Sequence, residues 1–173
     1  MKPIPVWRNV TPAMFEGEIR PRAQPAVLKD IAGDWPIVRA ARNSAVACAE
    51  YLRGLSVGKP LHYVRAGPEV EGRLHYRDDV RAPNFERHES SLSDFLTALI
   101  AESEKERPDA LAVQGLTAPD YAPNFAHDNS LDLLSPRITP RLWIGSAIKV
   151  ATHSDPTENV ACVAAGRRTF TLF

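Results

Sequence analysis

The sequence has no excess charge of either sign, because its 173 residues carry 21 Lys and Arg against 21 Asp and Glu. Proteins that bind nucleic acid through its phosphates need concentrated basic side chains, so this balance argues against a nucleic-acid partner. Long apolar runs are also missing. The longest covers residues 160–165, far below the roughly 20 residues of a membrane span. Residues 1–10 lack a signal-peptide core, and we expect a cytoplasmic protein without a membrane partner.

Cysteine is scarce, with only Cys48 and Cys162 in the chain. Two widely separated cysteines in apolar contexts are typical of buried reduced thiols, and they lack the CxxC spacing of a metal knuckle. The sequence also has no phosphate-binding glycine loop and no serine or cysteine in a known catalytic motif. Phosphoryl transfer and nucleophilic catalysis are therefore disfavoured.

Fifteen prolines and nine glycines divide the chain into short elements, so architectures of long helices are excluded. Residues 1–108 are helix-rich. We predict helices over 11–19 with Thr11 as N-cap, over 44–53 with Ser44 as N-cap and over 93–107, and strands over 26–28, 61–65 and 73–77. Residues 109–173 are strand-rich, with predicted strands over 110–114, 141–144, 149–155, 159–164 and 168–173. A tight turn at Gly166 and Arg167 would join the last two strands into an antiparallel meander.

The tripeptide His153-Ser154-Asp155 carries the clearest chemical signal. Residues i and i+2 of a strand project to the same face, so the imidazole and the carboxylate would reach one metal ion. Two histidines and one carboxylate around open positions suit non-haem Fe(II). By itself the tripeptide is weak evidence, because one His-x-Asp arises easily by chance in a chain of this composition.

The surrounding motifs strengthen this interpretation. LWIG at 142–145, His153 with Asp155, Asn159, and GRRTFTLF at 166–173 follow one another in the order and spacing of the cupin-like, JmjC-related hydroxylases. PAVL at 25–28 and DWP at 34–36 also resemble the first strand and break of that family. The resemblance covers nearly the whole chain.

The resemblance implies an α+β fold, in which N-terminal helices and short strands lead into a double-stranded β-helix of the cupin or jelly-roll type. It implies Fe(II) held by His153, Asp155 and a distal histidine, with 2-oxoglutarate as co-substrate. Arg168 matches the basic residue that pairs with the distal carboxylate of 2-oxoglutarate, and a guanidinium would hold it bidentately. Asn159 matches a position near the chelating end of that co-substrate.

The sequence departs from the family pattern at three places. Val150 stands where several relatives have a threonine that binds 2-oxoglutarate, and Leu111 and Ala112 stand near the position of a co-substrate tyrosine. His153 is the last histidine of the chain, so the distal ligand of the family has no counterpart. We therefore expect residues 1–173 to be one incomplete cupin-like domain, with 1–108 its helix-rich part and 109–173 its first barrel strands.

Simpler interpretations stay open for each candidate residue. In these interpretations, His153 and Asp155 form an ordinary hydrogen-bonded pair, Arg168 is an exposed hairpin residue, and Asn159 closes a turn. The leading hypothesis is the N-terminal part of an Fe(II)- and 2-oxoglutarate-dependent hydroxylase-like protein. The alternatives are a non-catalytic cupin-like binding module and an inactive truncated remnant. The substrate is either a protein side chain or a small molecule, and the sequence does not distinguish between them. It also leaves open whether the full-length protein forms a homodimer.

Overall fold

The computed structural model describes residues 3–172 and has mixed helices and strands around an antiparallel sheet. The strands are β1 (Val6–Trp7), β2 (Val27–Leu28), β3 (Pro60–Ala66), β4 (Arg73–Leu74), β5 (Glu86–Ser91), β6 (Ala110–Thr117), β7 (Arg141–Gly145) and β8 (Lys149–Val150). The helices are α1 (Pro12–Met14), α2 (Pro36–Asn43), α3 (Ala45–Leu55), α4 (Leu92–Ser103), α5 (Ala118–Tyr121) and α6 (Phe125–Asp128). The predicted α+β class is confirmed.

Short helical turns extend two of these regions. A π-helical turn (Phe15–Ile19) and a 3₁₀ turn (Arg20–Arg22) continue α1, and a second 3₁₀ turn (Pro68–Val70) precedes β4. The Thr11 hydroxyl accepts a hydrogen bond from the Met14 N–H, so this helix begins at the predicted cap. Within residues 3–172, no helix is both long and apolar enough to cross a bilayer.

The central sheet has the order β5-β3-β6-β7, with every neighbouring pair antiparallel. It takes β3 and β5 from the helix-rich part of the chain and β6 and β7 from the strand-rich part. The helices α2, α3 and α4 contribute to the main hydrophobic core with one face of this sheet, where Leu61, Leu92, Phe95 and Leu111 are almost completely buried. Burial of these side chains is the main term that holds the helices on the sheet.

The three strands predicted beyond β7 are wrong in whole or in large part. The strand expected over 149–155 stops at Val150, and residues 151–172 form neither a strand nor a helix. The hairpin expected at Gly166 is absent from the described chain, although Gly166 has a positive φ of 71°. Residue 173 of the last predicted strand lies outside the described residues. A strand persists only where a neighbouring strand satisfies its N–H and C=O groups, and no described strand lies beside this segment.

Both cysteines are free thiols, Cys48 buried and Cys162 half-buried. Burial raises the pKa of the Cys48 thiol and of the Cys162 thiol, because an apolar environment disfavours the thiolate. The two side chains therefore act as small apolar groups, as expected from the sequence.

A buried carboxylate ties the end of α4 to two strands. Glu102 accepts hydrogen bonds from Lys105 Nζ at 2.7 Å, from the Asp109 N–H at 3.0 Å and from Arg65 at 3.2 Å. The hydrogen bond from Lys105, the bond from the Asp109 N–H and the charge of Arg65 lower the pKa of Glu102, against the opposing effect of burial. Glu102 therefore stabilises the packing of α4 against β3 and the start of β6 as a charged group.

We expect Glu102→Gln to lower the free energy of unfolding by about 2 kcal/mol at neutral pH, because charge-assisted hydrogen bonds are lost. The pKa is lowered on folding, so this stabilisation is complete above the unfolded value of about 4.3 and disappears as pH falls through the folded value. Urea unfolding of both proteins between pH 7 and pH 3, at roughly one-unit steps, measures the converging difference.

The matched control is Glu104→Gln, at an exposed carboxylate two residues along, whose side chain makes no hydrogen bond or ion pair within residues 3–172. A surface substitution of this kind changes stability by about 0.5 kcal/mol or less. An equal loss in both variants, or a Glu102→Gln loss that does not shrink in acid, would contradict the role of this carboxylate.

Candidate functional site

The segment that carries the candidate residues leaves the sheet region at a fixed point. β8 pairs in parallel with β4, placing Val150 beside Leu74, and the Lys149 N–H donates to the Gly72 carbonyl at 2.7 Å. Gly72 has a φ of 74°, and a Cβ there would lie 2.3 Å from the Ala147 carbonyl oxygen. Only glycine permits this close approach. The pairing of β8 with β4 therefore fixes the position at which the segment from residue 151 onward begins.

His153 and Asp155 come together, but not for the reason that the sequence suggested. They do not lie on a strand, so the expected projection from one strand face is wrong. Instead the chain curves so that His153 Nε2 lies 3.6 Å from Asp155 Oδ1. Both side chains are more than half exposed, at 57% and 54%. The pair lies on the surface and is open to solutes.

The hydrogen-bond partner of His153 Nδ1 determines which ring nitrogen carries the proton. His153 Nδ1 lies 2.8 Å from the Ala151 carbonyl oxygen, which only accepts, so Nδ1 carries the proton. In the neutral ring, Nε2 then holds a lone pair and faces Asp155 Oδ1, a second acceptor. A proton or a metal cation between the two atoms would satisfy both of them.

The separation of the two donor atoms lies within the range that one first-row metal ion allows. Nitrogen and carboxylate ligands lie about 2.1 Å from such an ion, so two of them are about 3.0 Å apart at adjacent octahedral positions and at most about 4.2 Å apart at opposite positions. The observed 3.6 Å lies between these two values. Within residues 3–172, however, no group of three or more His, Cys, Asp or Glu side chains is placed to hold a metal. The described residues supply two protein ligands.

Asn159 forms a hydrogen bond with Asp155, one of the two candidate metal ligands. Its Nδ2 donates to Asp155 Oδ2 at 2.8 Å, which leaves Asp155 Oδ1 directed to His153. The sequence predicted an amide near the carboxylate of a co-substrate, whereas the structure places it on a carboxylate four residues earlier. The contact closes the loop between these residues and fixes the orientation of the Asp155 carboxyl group.

Arg168 is exposed and makes no hydrogen bond or ion pair within residues 3–172. Its charge is therefore available, but the described contacts do not join it to His153 or Asp155. Cavities of about 260 and 400 Å³ are both lined in part by Asp109. None of residues 151–172 lines either cavity.

One part of this geometry had no signal in the sequence. The partner of His153 Nδ1 is the backbone carbonyl of Ala151, and every residue has a carbonyl regardless of its side chain. The two-residue spacing of Ala151 and His153 indicates this hydrogen bond only when the backbone conformation is known.

We expect the neutral imidazole of His153 to carry its proton on Nδ1. Two-dimensional ¹H–¹⁵N NMR of the ring nitrogens distinguishes the two tautomers. The ring of His75 is exposed and has no hydrogen bond among the described residues, so its signals should show a mixture of both forms. A His153 ring protonated mainly on Nε2 would contradict the contact with Ala151.

The model of the cupin-like domain family matches residues 12–173. This range includes all the elements from α1 onward and the complete segment with His153, Asp155 and Asn159. No curated protein matches the sequence.

Proposed function

Because the chain belongs to the cupin-like domain family, we propose that it forms the metal-holding part of a hydroxylase-like protein that depends on Fe(II) and 2-oxoglutarate. The observation that carries the proposal is the pair of acceptor atoms, His153 Nε2 and Asp155 Oδ1, that face each other at 3.6 Å. The order of motifs along the sequence supports the same assignment.

Each residue has a definite task in this proposal. His153 would bind Fe(II) through Nε2, while its Nδ1–H bond to the Ala151 carbonyl holds the ring in place. Asp155 would bind through Oδ1, while Asn159 holds the other oxygen. With dioxygen as the oxidant, bound Fe(II) and 2-oxoglutarate would supply the chemistry that hydroxylates a C–H bond of the substrate, one oxygen atom entering that bond and the other converting 2-oxoglutarate to succinate and CO₂.

Arg168 would recognise the distal carboxylate of 2-oxoglutarate through its guanidinium, which stays charged at any working pH. It would act without the neutral hydroxyl that relatives provide, because Val150 stands at that position. Since the described residues give two protein ligands, water, co-substrate or another polypeptide segment must complete the metal coordination. We propose a protein side chain or a small molecule as substrate.

Anaerobic titration tests the proposal. Adding Fe(II) and then 2-oxoglutarate should give a visible metal-to-ligand charge-transfer band, because the co-substrate chelates the metal. Asp155→Ala should abolish the band by removing one of two protein ligands. Isothermal calorimetry with Mn(II) measures the metal affinity separately, and Arg168→Gln should weaken 2-oxoglutarate binding while leaving Mn(II) binding unchanged.

The chain offers a matched control in its second His–Asp pair. His127 Nδ1 lies 2.9 Å from Asp128 Oδ1, on adjacent residues and with an exposed imidazole. Asp128→Ala should leave the band and the Mn(II) affinity unchanged. A folded chain that binds neither Fe(II) nor Mn(II) would overturn the proposal and favour the non-catalytic cupin-like binding module, with which the high exposure of His153 and Asp155 also agrees.

A further inference from the structure

Arg20 makes an ion pair with the segment of the candidate site across 138 positions of sequence. It follows the π-helical turn Phe15–Ile19 as the first residue of a 3₁₀ turn. Its Nε donates to Glu158 Oε2 at 2.9 Å, and one terminal nitrogen donates to Glu16 Oε2 at 2.8 Å. The Glu16 contact, one helical turn earlier, holds the guanidinium in the orientation that reaches Glu158.

A hydrophobic contact lies next to this ion pair. Phe15, Ile19 and Leu133 form a small buried cluster, and the partly buried Val160 packs against it. Glu158 and Val160 flank Asn159 in sequence. The N-terminal helical region thus holds the chain on both sides of Asn159, once through charge and once through apolar packing.

From Asn159 the contacts continue to the metal-facing atoms. Asn159 donates to Asp155 Oδ2 at 2.8 Å, and Asp155 Oδ1 lies 3.6 Å from His153 Nε2. The other end of the loop is held where β8 pairs with β4. Residues 151–157 lie between these two attachments and belong to no helix or strand, so the attachments determine how far the loop moves.

We propose that Arg20 is a positioning residue for the His153–Asp155 pair, acting through Glu158 and Asn159. This inference rests on the proposed metal-binding function. It assigns a site role to the N-terminal helical region, which the motif comparison did not connect with the metal. The ion pair is exposed on both sides, at 51% and 72%, so it contributes little to global stability. The ion pair acts instead on how well ordered the loop is.

The test compares Arg20→Gln and Glu158→Gln with Arg8→Gln. Arg8 also makes an exposed ion pair, with Asp30 at 3.1 Å, but Asp30 lies outside the candidate segment. In the metal-free protein, Arg20→Gln and Glu158→Gln should lower the ¹⁵N heteronuclear NOE of the amides of residues 151–155 and 157–159. Arg8→Gln should leave these values at the wild-type level, and the melting temperature should be nearly the same in all three variants.

Metal binding gives the second measurement. The Kd for Mn(II), followed by electron paramagnetic resonance, should rise about threefold to tenfold in Arg20→Gln and Glu158→Gln, which is less than for removal of a direct partner of a ligand. The double variant should bind Mn(II) no more weakly than Arg20→Gln alone, since both changes remove the ion pair of Arg20 with Glu158. Arg8→Gln should bind like the wild type.

The outcomes separate this inference from the proposed function. Unchanged NOE values in Arg20→Gln, or an equal loss in Arg8→Gln, would overturn the positioning role even if the wild type binds Mn(II). Additive losses of Mn(II) affinity in the double variant would also overturn it. If the wild type does not bind Mn(II), the proposed function fails and the role at a metal site falls with it, whereas reduced NOE values would still show that Arg20 orders the loop.

Discussion

Every strand needs a neighbour that satisfies its backbone, and this requirement decides which parts of the chain form a sheet. β3 pairs with β5 along residues 60–65 and with β6 along residues 64–66, while Leu61 enters the core. Burial of that side chain and hydrogen bonding of the backbone support each other. Residues 160–164 show that side-chain pattern alone is not enough. They alternate between half-buried and exposed positions, yet they form no ladder, because no strand within residues 3–172 lies beside them.

The candidate site depends on individual contacts where the sheet no longer provides order. A parallel pair of two residues fixes the chain at β8, and the ion pair of Arg20 with Glu158 fixes it again further on. Between them, the Ala151 carbonyl and the Asn159 amide orient the two candidate ligands. The ion pair and the two orienting hydrogen bonds are all exposed to solvent. In this loop His153 Nε2 and Asp155 Oδ1 lie 3.6 Å apart without the support of a pair of strands.

Elements with strong local signals were predictable. Thr11 and Ser44 cap their helices as expected, because a hydroxyl that accepts an N–H bond is a local property. The helix α2 was missed, since the DWP tripeptide indicated a break and Pro36 instead occupies the first turn. The strand β5 was missed as well. Its sequence ERHESS has no apolar alternation, and it is a strand because β3 lies beside it.

The sequence by itself determined the family, the α+β class and the identity of the candidate site residues, because residue type and motif order do not depend on how the chain folds. His153, Asp155 and Asn159 could all be named without coordinates. Only the tertiary structure decided the contacts around them: a curved loop in place of a strand, a backbone carbonyl on the imidazole, and the ion pair of Arg20 with Glu158 beside Asn159. Such contacts join residues far apart in sequence or use atoms that all residues share, so no local pattern specifies them.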